Sequence, residues 1–279
     1  MYMVKNYSLI ASDGEKLRVT TFCSLQEKSN KTLVFVHGFK GFKDWGFGPY
    51  IGGYFADKGY SVILFNFSHN GIGENLTEFT EFDKFAKNTF SREIRELNEV
   101  LDVVRNGFFE EISSDSKIGI CGHSRGGAIS LLTSSQRDDV NAVAVWASIA
   151  KLDRYSQRQK EEWRKNGSFD VMNLRTKQIM SLGVCLLDDI ELNSNDSLNI
   201  EKAVKNLNKP LLIAHGVQDL AVSIDEAELI YGWSDKSKTE LYKIYGCGHT
   251  FDVAHPFAGT TKNFEDLLET TDRFFSYKI

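Results

Sequence analysis

The stretch Lys117-Ile-Gly-Ile-Cys-Gly-His-Ser-Arg-Gly-Gly-Ala-Ile-Ser-Leu-Leu132 constrains this chain more than any other. An apolar β-rich run, Lys117–Cys121, passes through Gly122-His123-Ser124-Arg125-Gly126 straight into a helical run, Gly126–Ser134. A strand that becomes a helix across a G-x-S-x-G turn must bend sharply. Side chains at 122 and 126 would collide where strand and helix meet, and glycine removes the collision. Such a turn strains the backbone of Ser124 and projects its hydroxyl, and the helix N-terminus aims free amides at the same place. A serine hydroxyl is a poor nucleophile until a base reaches it, so this geometry asks for a histidine elsewhere in the chain. The bland alternative is a tight β–α connection or a phosphate loop. G-x-G-x-x-G and the Walker pattern are both absent.

Around this turn the chain alternates strand and helix. Two alternating runs, Tyr7–Ala11 and Leu17–Phe22, flank Asp13-Gly14 and predict a hairpin. Further strands are expected at Thr32–Val36, Ser61–Phe65, Lys117–Cys121, Ala142–Trp146, Pro210–His215 and Leu241–Tyr245. Continuous apolar runs of this kind suit parallel strands buried on both faces. Helices are expected over 51–57, over 89–104, where Ile94, Leu97, Leu101 and Val104 share a face, and over 264–275. Residues 150–208 break the rhythm with charged helical pieces, mixed aromatics and an Asn/Asp-rich patch. They read as an insertion between two strands, a small helical cap, with an ordinary long excursion as the alternative. The fold class expected is α/β: one domain over 1–279 with a mostly parallel sheet covered by helices on both faces.

Composition narrows the function classes. A 42% hydrophobic and 25% charged chain can build a full-sized core. Its net charge of -5, with no long run of Lys and Arg, argues against nucleic acid as a partner. No secretory signal and no apolar run long enough for a membrane span is evident. Cys23, Cys121, Cys185 and Cys247 are scattered without a C-x-x-C pair, which suits free thiols in a reducing compartment. A cytoplasmic location is expected, with no membrane partner; oligomeric state is not legible.

The stretch around Ser124 resembles the nucleophile elbow of the α/β-hydrolase superfamily, and the likeness extends from the opening hairpin to the last helix. It is most similar to the dienelactone-hydrolase-like and cinnamoyl (feruloyl) esterase-like bacterial branches and to the serine aminopeptidase-like group. The resemblance implies an α/β-hydrolase fold of about eight strands and acyl transfer without a cofactor or metal. It also implies an oxyanion hole. His37-Gly38-Phe39-Lys40-Gly41-Phe42 follows a strand as the family's H-G loop does, so the donors would be the backbone N–H groups of Phe39 and Arg125.

The acid and the base follow by the same resemblance. Pro210-Leu-Leu-Ile-Ala-His-Gly-Val-Gln-Asp219 is similar to the family's acid turn, and Gly246-Cys-Gly-His249 supplies the base. The order Ser124, Asp219, His249 is the α/β-hydrolase order. Asp225 and Asp235 are the rival acids, although Asp225 has a helix-start reading. His255 is the rival base. His249, Asp252 and His255 match no common metal-ligand spacing. His37, His123 and His215 have structural readings beside the turns they occupy, and His69 reads as loop packing. Lys40 and Lys43 read as solvated loop charges. Trp163 and Phe169 are candidates for an aromatic pocket or for plain packing.

These residues predict a serine hydrolase acting on a small-molecule acyl substrate, a carboxylic ester first. With no anion clamp evident, neutral or modestly polar esters are expected. The same three residues would serve a thioesterase or an amidase/aminopeptidase, the last needing an acidic cap residue such as Glu161, Glu162 or Asp170. A hydrolase-fold protein that binds without catalysis is the alternative from another class. Haloalkane and epoxide chemistry is disfavoured, because the elbow carries Ser where those branches carry Asp.

Overall fold

The Asp13-Gly14 turn joins β1 (Tyr2–Ile10) antiparallel to β2 (Lys16–Ser24), in register from Tyr2 opposite Ser24 to Ile10 opposite Lys16. This is the first feature of a computed structural model that describes residues 1–279. β3 (Lys31–Val36) follows, then α1 (Gly48–Asp57) and β4 (Ser61–Asn66). After α2 (Phe82–Ala86) and α3 (Phe90–Arg105), the chain enters β5 (Lys117–His123), α4 (Arg125–Ser134) and β6 (Val140–Trp146). Residues between β6 and the next sheet strand form α5 (Gln157–Asn166), β7 (Ser168–Asn173), β8 (Gln178–Gly183), α6 (Val184–Asn193) and α7 (Ile200–Lys205). β9 (Leu211–Gly216), α8 (Ile224–Trp233), β10 (Thr239–Ile244) and α9 (Lys262–Lys278) complete the chain.

Eight strands pair in the order β1-β2-β4-β3-β5-β6-β9-β10. β2 runs antiparallel to both its neighbours, and every other pairing from β4 to β10 is parallel. The expected mostly parallel sheet is therefore present, with the hairpin at one edge. The continuous apolar runs are buried on both faces because successive side chains alternate. Val34, Val36, Ile118, Ile120, Val143 and Val145 point to one layer, with α3 and α4. Leu33, Phe35, Cys121, Ala142 and Ala144 point to the other, with α1 and α9.

Helix boundaries follow local chemistry. Thr89 caps α3 by accepting from Arg92 N, and Thr261 caps α9 by accepting from Phe264 N. Ser156 and Gln159 form a reciprocal capping box at the start of α5, and Gly167 closes that helix at φ 78°. No helix is long and apolar enough to cross a membrane.

The segment 150–208 contains the expected helices and an element that the sequence reading missed. β7 and β8 form a separate two-stranded antiparallel sheet. This hairpin reaches the loop after β3: Lys40 Nζ donates to Met172 O at 3.0 Å, and Arg175 donates to Lys40 O at 3.3 Å. At the other end of the segment, Ser91 N donates to Asp189 of α6 at 3.0 Å.

Candidate active site

Ser124 stands between β5 and α4 with φ 57° and ψ -122°, a region that L-residues rarely occupy. The surroundings over-determine that conformation. Ser124 N donates to Trp146 O on the neighbouring strand at 2.8 Å, and Gly127 N donates to Ser124 O at 3.0 Å. A Cβ at Gly126 would stand 2.3 Å from Val36 O, so only glycine lets α4 start this close to β3.

Three side chains from distant parts of the sequence meet here. His249 Nε2 lies 3.0 Å from Ser124 Oγ, and His249 Nδ1 lies 2.7 Å from Asp219 Oδ2. A carboxylate can only accept, so Nδ1 carries the proton and Nε2 is left bare to accept from the serine hydroxyl. Asp219 is buried in the turn after β9, and its second oxygen accepts from Ala221 N at 2.8 Å and Val222 N at 2.9 Å. Burial pushes this carboxyl up, but the neighbouring His215 and His249 imidazoles and the Val222 amide outweigh it and hold it well below the usual carboxylate range. A carboxylate held ionised in this way is the partner that an imidazolium needs.

The rival residues are occupied elsewhere. Asp225 lies in the first turn of α8, capped by Ser223. Asp235 accepts from Ser237 N and Oγ in an exposed turn. His255 Nδ1 accepts from Gly46 N at 2.9 Å while its ring stacks on Trp45. No three His, Cys, Asp or Glu side chains converge as metal ligands.

The remaining histidines hold loops. His37 Nδ1 donates to Gly38 O at 3.0 Å and its Nε2 accepts from Phe67 N at 3.3 Å; burial pushes its pKa down to about 4. His123 Nε2 donates to the backbone oxygen of His249 at 2.9 Å, and burial lowers its pKa to about 3. His69 is buried beside Ser68, with Nδ1 2.7 Å from the Ser68 hydroxyl. His215 Nε2 donates to Val222 O at 2.9 Å, bracing the acid turn. The bracing role of His123 was only partly legible, because its partner lies 126 residues on.

The loop after β3 runs against the elbow: a Cβ at Gly38 would stand 2.9 Å from Ser124 Cβ. Phe39 follows immediately, and its amide donates to no backbone acceptor. Arg125 is the first residue of α4, where an amide has no intrahelical acceptor. Both amides are thus free to donate to a ligand oxygen. The Arg125 side chain is buried, with its guanidinium 4.1 Å from the Phe39 ring centre and 3.4 Å from Glu93 Oε1.

A cavity of about 400 Å³ opens on Ser124 and His249. The loop after β3 contributes Phe39, Lys40 and Trp45 to its wall, and the β7–β8 turn contributes Asn173, Leu174 and Arg175. The sequence reading did not single out these three turn residues. Alternating flanks around Asn173–Lys177 are the signal that could have found them. Trp163 and Phe169 do not line this cavity. Trp163 is fully buried against Tyr155 and Phe169, forming the inserted segment's own core. Glu161, Glu162 and Asp170 also stay outside it; they pair with Gln157, Arg158 and Ser181.

Comparison with known proteins agrees with this architecture. A family model described as alpha/beta hydrolase fold matches residues 31–168. The esterase domain of a Rhodothermus marinus protein is 16% identical, with a TM-score of 0.64, covering 98% of this chain and 97% of that one. Est1E of Butyrivibrio proteoclasticus, solved with ferulic acid bound, is 17% identical, with a TM-score of 0.70, covering 100% and 98%. The Pyrococcus furiosus esterase Pf2001 is 16% identical, with a TM-score of 0.65, covering 99% and 93%. At such identities the likeness is one of fold. No curated protein matches the sequence.

Proposed function

Because the chain is an α/β hydrolase by fold, we propose that it is a serine hydrolase that cleaves carboxylic esters through an acyl-enzyme on Ser124. The observation that carries this reading is the unbroken hydrogen-bonded chain from Ser124 Oγ through His249 to Asp219, at 3.0 and 2.7 Å. Ser124 Oγ attacks the acyl carbon while His249 Nε2 takes its proton. Asp219 holds the imidazole in the required tautomer and stabilises the imidazolium. The carbonyl oxygen becomes an oxyanion and accepts from the amides of Phe39 and Arg125, each worth roughly 10²–10³ in rate in comparable sites. His249 then returns the proton to the departing alcohol. Water, activated by the same imidazole, attacks the acyl carbon and frees Ser124.

In this reading residues 1–279 work as one hydrolase unit, and 150–208 serve as its cap, since the β7–β8 turn forms part of the cavity wall. Four free cysteines support a cytoplasmic location. An ester is favoured over an aminopeptidase substrate, because no carboxylate lines the cavity to hold an ammonium group.

The test is covalent labelling with a fluorophosphonate, followed by peptide mapping. The label is expected on Ser124, and Ser124→Ala is expected to abolish labelling and lower ester turnover by a factor on the order of 10⁶. A folded protein that takes no label would belong to the non-catalytic binders of this fold. Unchanged turnover in Ser124→Ala would remove Ser124 from the chemistry.

A further inference from the structure

We infer that the ester this site takes carries a carboxylate, held at the cavity wall by Lys40 and Arg175; the inference rests on the reading of Ser124 as nucleophile. Such a substrate differs from the neutral or modestly polar esters expected from the sequence. The two cations come from elements that the sequence keeps 135 residues apart. Lys40 belongs to the loop whose Gly38 presses on Ser124, and Arg175 to the β7–β8 turn. Both line the cavity that contains Ser124 and His249.

Neither cation is matched by an anion. The Lys40 ammonium donates to Met172 O and the Arg175 guanidinium to Lys40 O, both backbone carbonyls. No Asp or Glu lines the cavity, in a chain where acidic residues outnumber basic ones 38 to 33. Neighbouring charges behave differently: Lys43 meets Asp44 at 2.6 Å and Arg125 meets Glu93 at 3.4 Å. Burial lowers the Lys40 pKa, and the charges of Arg175 and Arg125 lower it further, the sign of a positive field without a counterion.

The geometry also suits a planar anion. The Arg175 guanidinium stands 5.7 Å from the Trp45 ring centre and 6.0 Å from that of Phe42, within cation–π range of both rings. A guanidinium offers parallel N–H donors that match a carboxylate, and the Lys40 ammonium adds a point charge. Lys40 itself has φ 54°, an unusual conformation for a residue with a side chain, kept in the loop that turns past the nucleophile. The nucleophile and both cations line one cavity of about 400 Å³, so the carboxylate and the scissile ester belong to one small molecule. Short monoesters of dicarboxylic acids, or esters of hydroxy acids, meet that condition.

The experiment compares kcat/KM for monomethyl glutarate, carboxymethyl butanoate and neutral methyl pentanoate on the full chain, by titrating the acid released. The first substrate carries its charge on the acyl side and the second on the alcohol side. One of the two is expected to exceed the neutral ester by at least about tenfold, the scale of one charge-assisted contact. In Lys40→Gln and Arg175→Gln that ratio is expected to fall towards one, and in Arg175→Glu to fall below it. Binding of free glutarate by calorimetry, expected for the wild type and lost in Arg175→Glu, reads the clamp without turnover. A neutral ester hydrolysed as well as both charged ones, with no glutarate binding, would overturn the clamp while leaving the hydrolase reading intact. A folded protein without fluorophosphonate labelling or turnover would instead overturn the hydrolase reading, and with it the assignment of an ester substrate.

Discussion

The Arg125 guanidinium lies 4.1 Å from the centre of the Phe39 ring, so the two residues proposed to supply the oxyanion amides are tied together by their side chains. The same guanidinium stands 4.8 Å from the Phe90 ring centre and pairs with the buried Glu93 at 3.4 Å. Phe39 in turn stacks on Phe85 at 5.6 Å. The loop after β3 and the start of α4 are thereby fixed relative to each other. Arg125→Met keeps the backbone amide and much of the volume but removes the cation and its ion pair. Its kcat is expected to fall by roughly tenfold to a hundredfold, the cost of a small misplacement of donors, with KM changing less. Steady-state kinetics on a soluble ester checks this; an unchanged kcat would mean that the amides are positioned without the side-chain tie.

His123 braces the base rather than acting as one. Its Nε2 donates to the backbone oxygen of His249, and its ring centre lies 4.8 Å from that of His249. His123→Ala removes the donor and leaves space beside the base. Turnover is expected to drop by about tenfold or more while fluorophosphonate still labels Ser124, slowly. A variant labelled and turning over at the wild-type rate would show that the Gly246–Gly248 turn holds His249 unaided.

Much of this site was legible before any coordinates, because its constraints are local. Gly122 and Gly126 announce a turn that excludes side chains, and the apolar runs at Thr32–Val36 and Lys117–Cys121 announce strands buried on both faces. Asp219 and His249 follow strands that pair directly with each other, so their loops emerge at the same sheet edge. The β7–β8 hairpin left only a weak signal in the sequence, the alternating flanks around Asn173–Lys177. Its strands are exposed on one side, with Met172 and Ile179 in solvent, and its stability comes from packing against α2 and the inserted segment. Lys40 looked like any surface lysine, since only the folded chain sets it beside Arg175.

Acid lability follows from histidines buried without charge. Burial holds His37 and His69 at about 4 and His123 at about 3, against 6.5 in an unfolded chain. Lowered values mean that the unfolded state binds protons first. Their contribution is therefore intact above pH 6.5, is lost as pH falls through the window from 6.5 to about 4, and levels off near 3. Urea midpoints measured from pH 7 to pH 4 should fall steadily. His37→Asn should be less stable at pH 7 and show a shallower decline over that window. A flat wild-type profile would mean that these imidazoles accept protons inside the fold.

The acid assignment admits a clean comparison among three aspartates. Asp219 places one oxygen 2.7 Å from His249 Nδ1 and commits the other to two backbone amides, so its orientation is fixed. Asp219→Asn keeps that shape but can present an N–H to Nδ1, which favours the tautomer with its proton on Nε2. Ser124 then has no base to accept its proton, and kcat is expected to fall by about 10⁴. Asp225 is committed to the first turn of α8 and Asp235 to an exposed turn, so Asp225→Asn and Asp235→Asn should retain wild-type turnover. Loss of activity in either of those variants, with Asp219→Asn still active, would relocate the acid and break the chain of hydrogen bonds on which the mechanism depends.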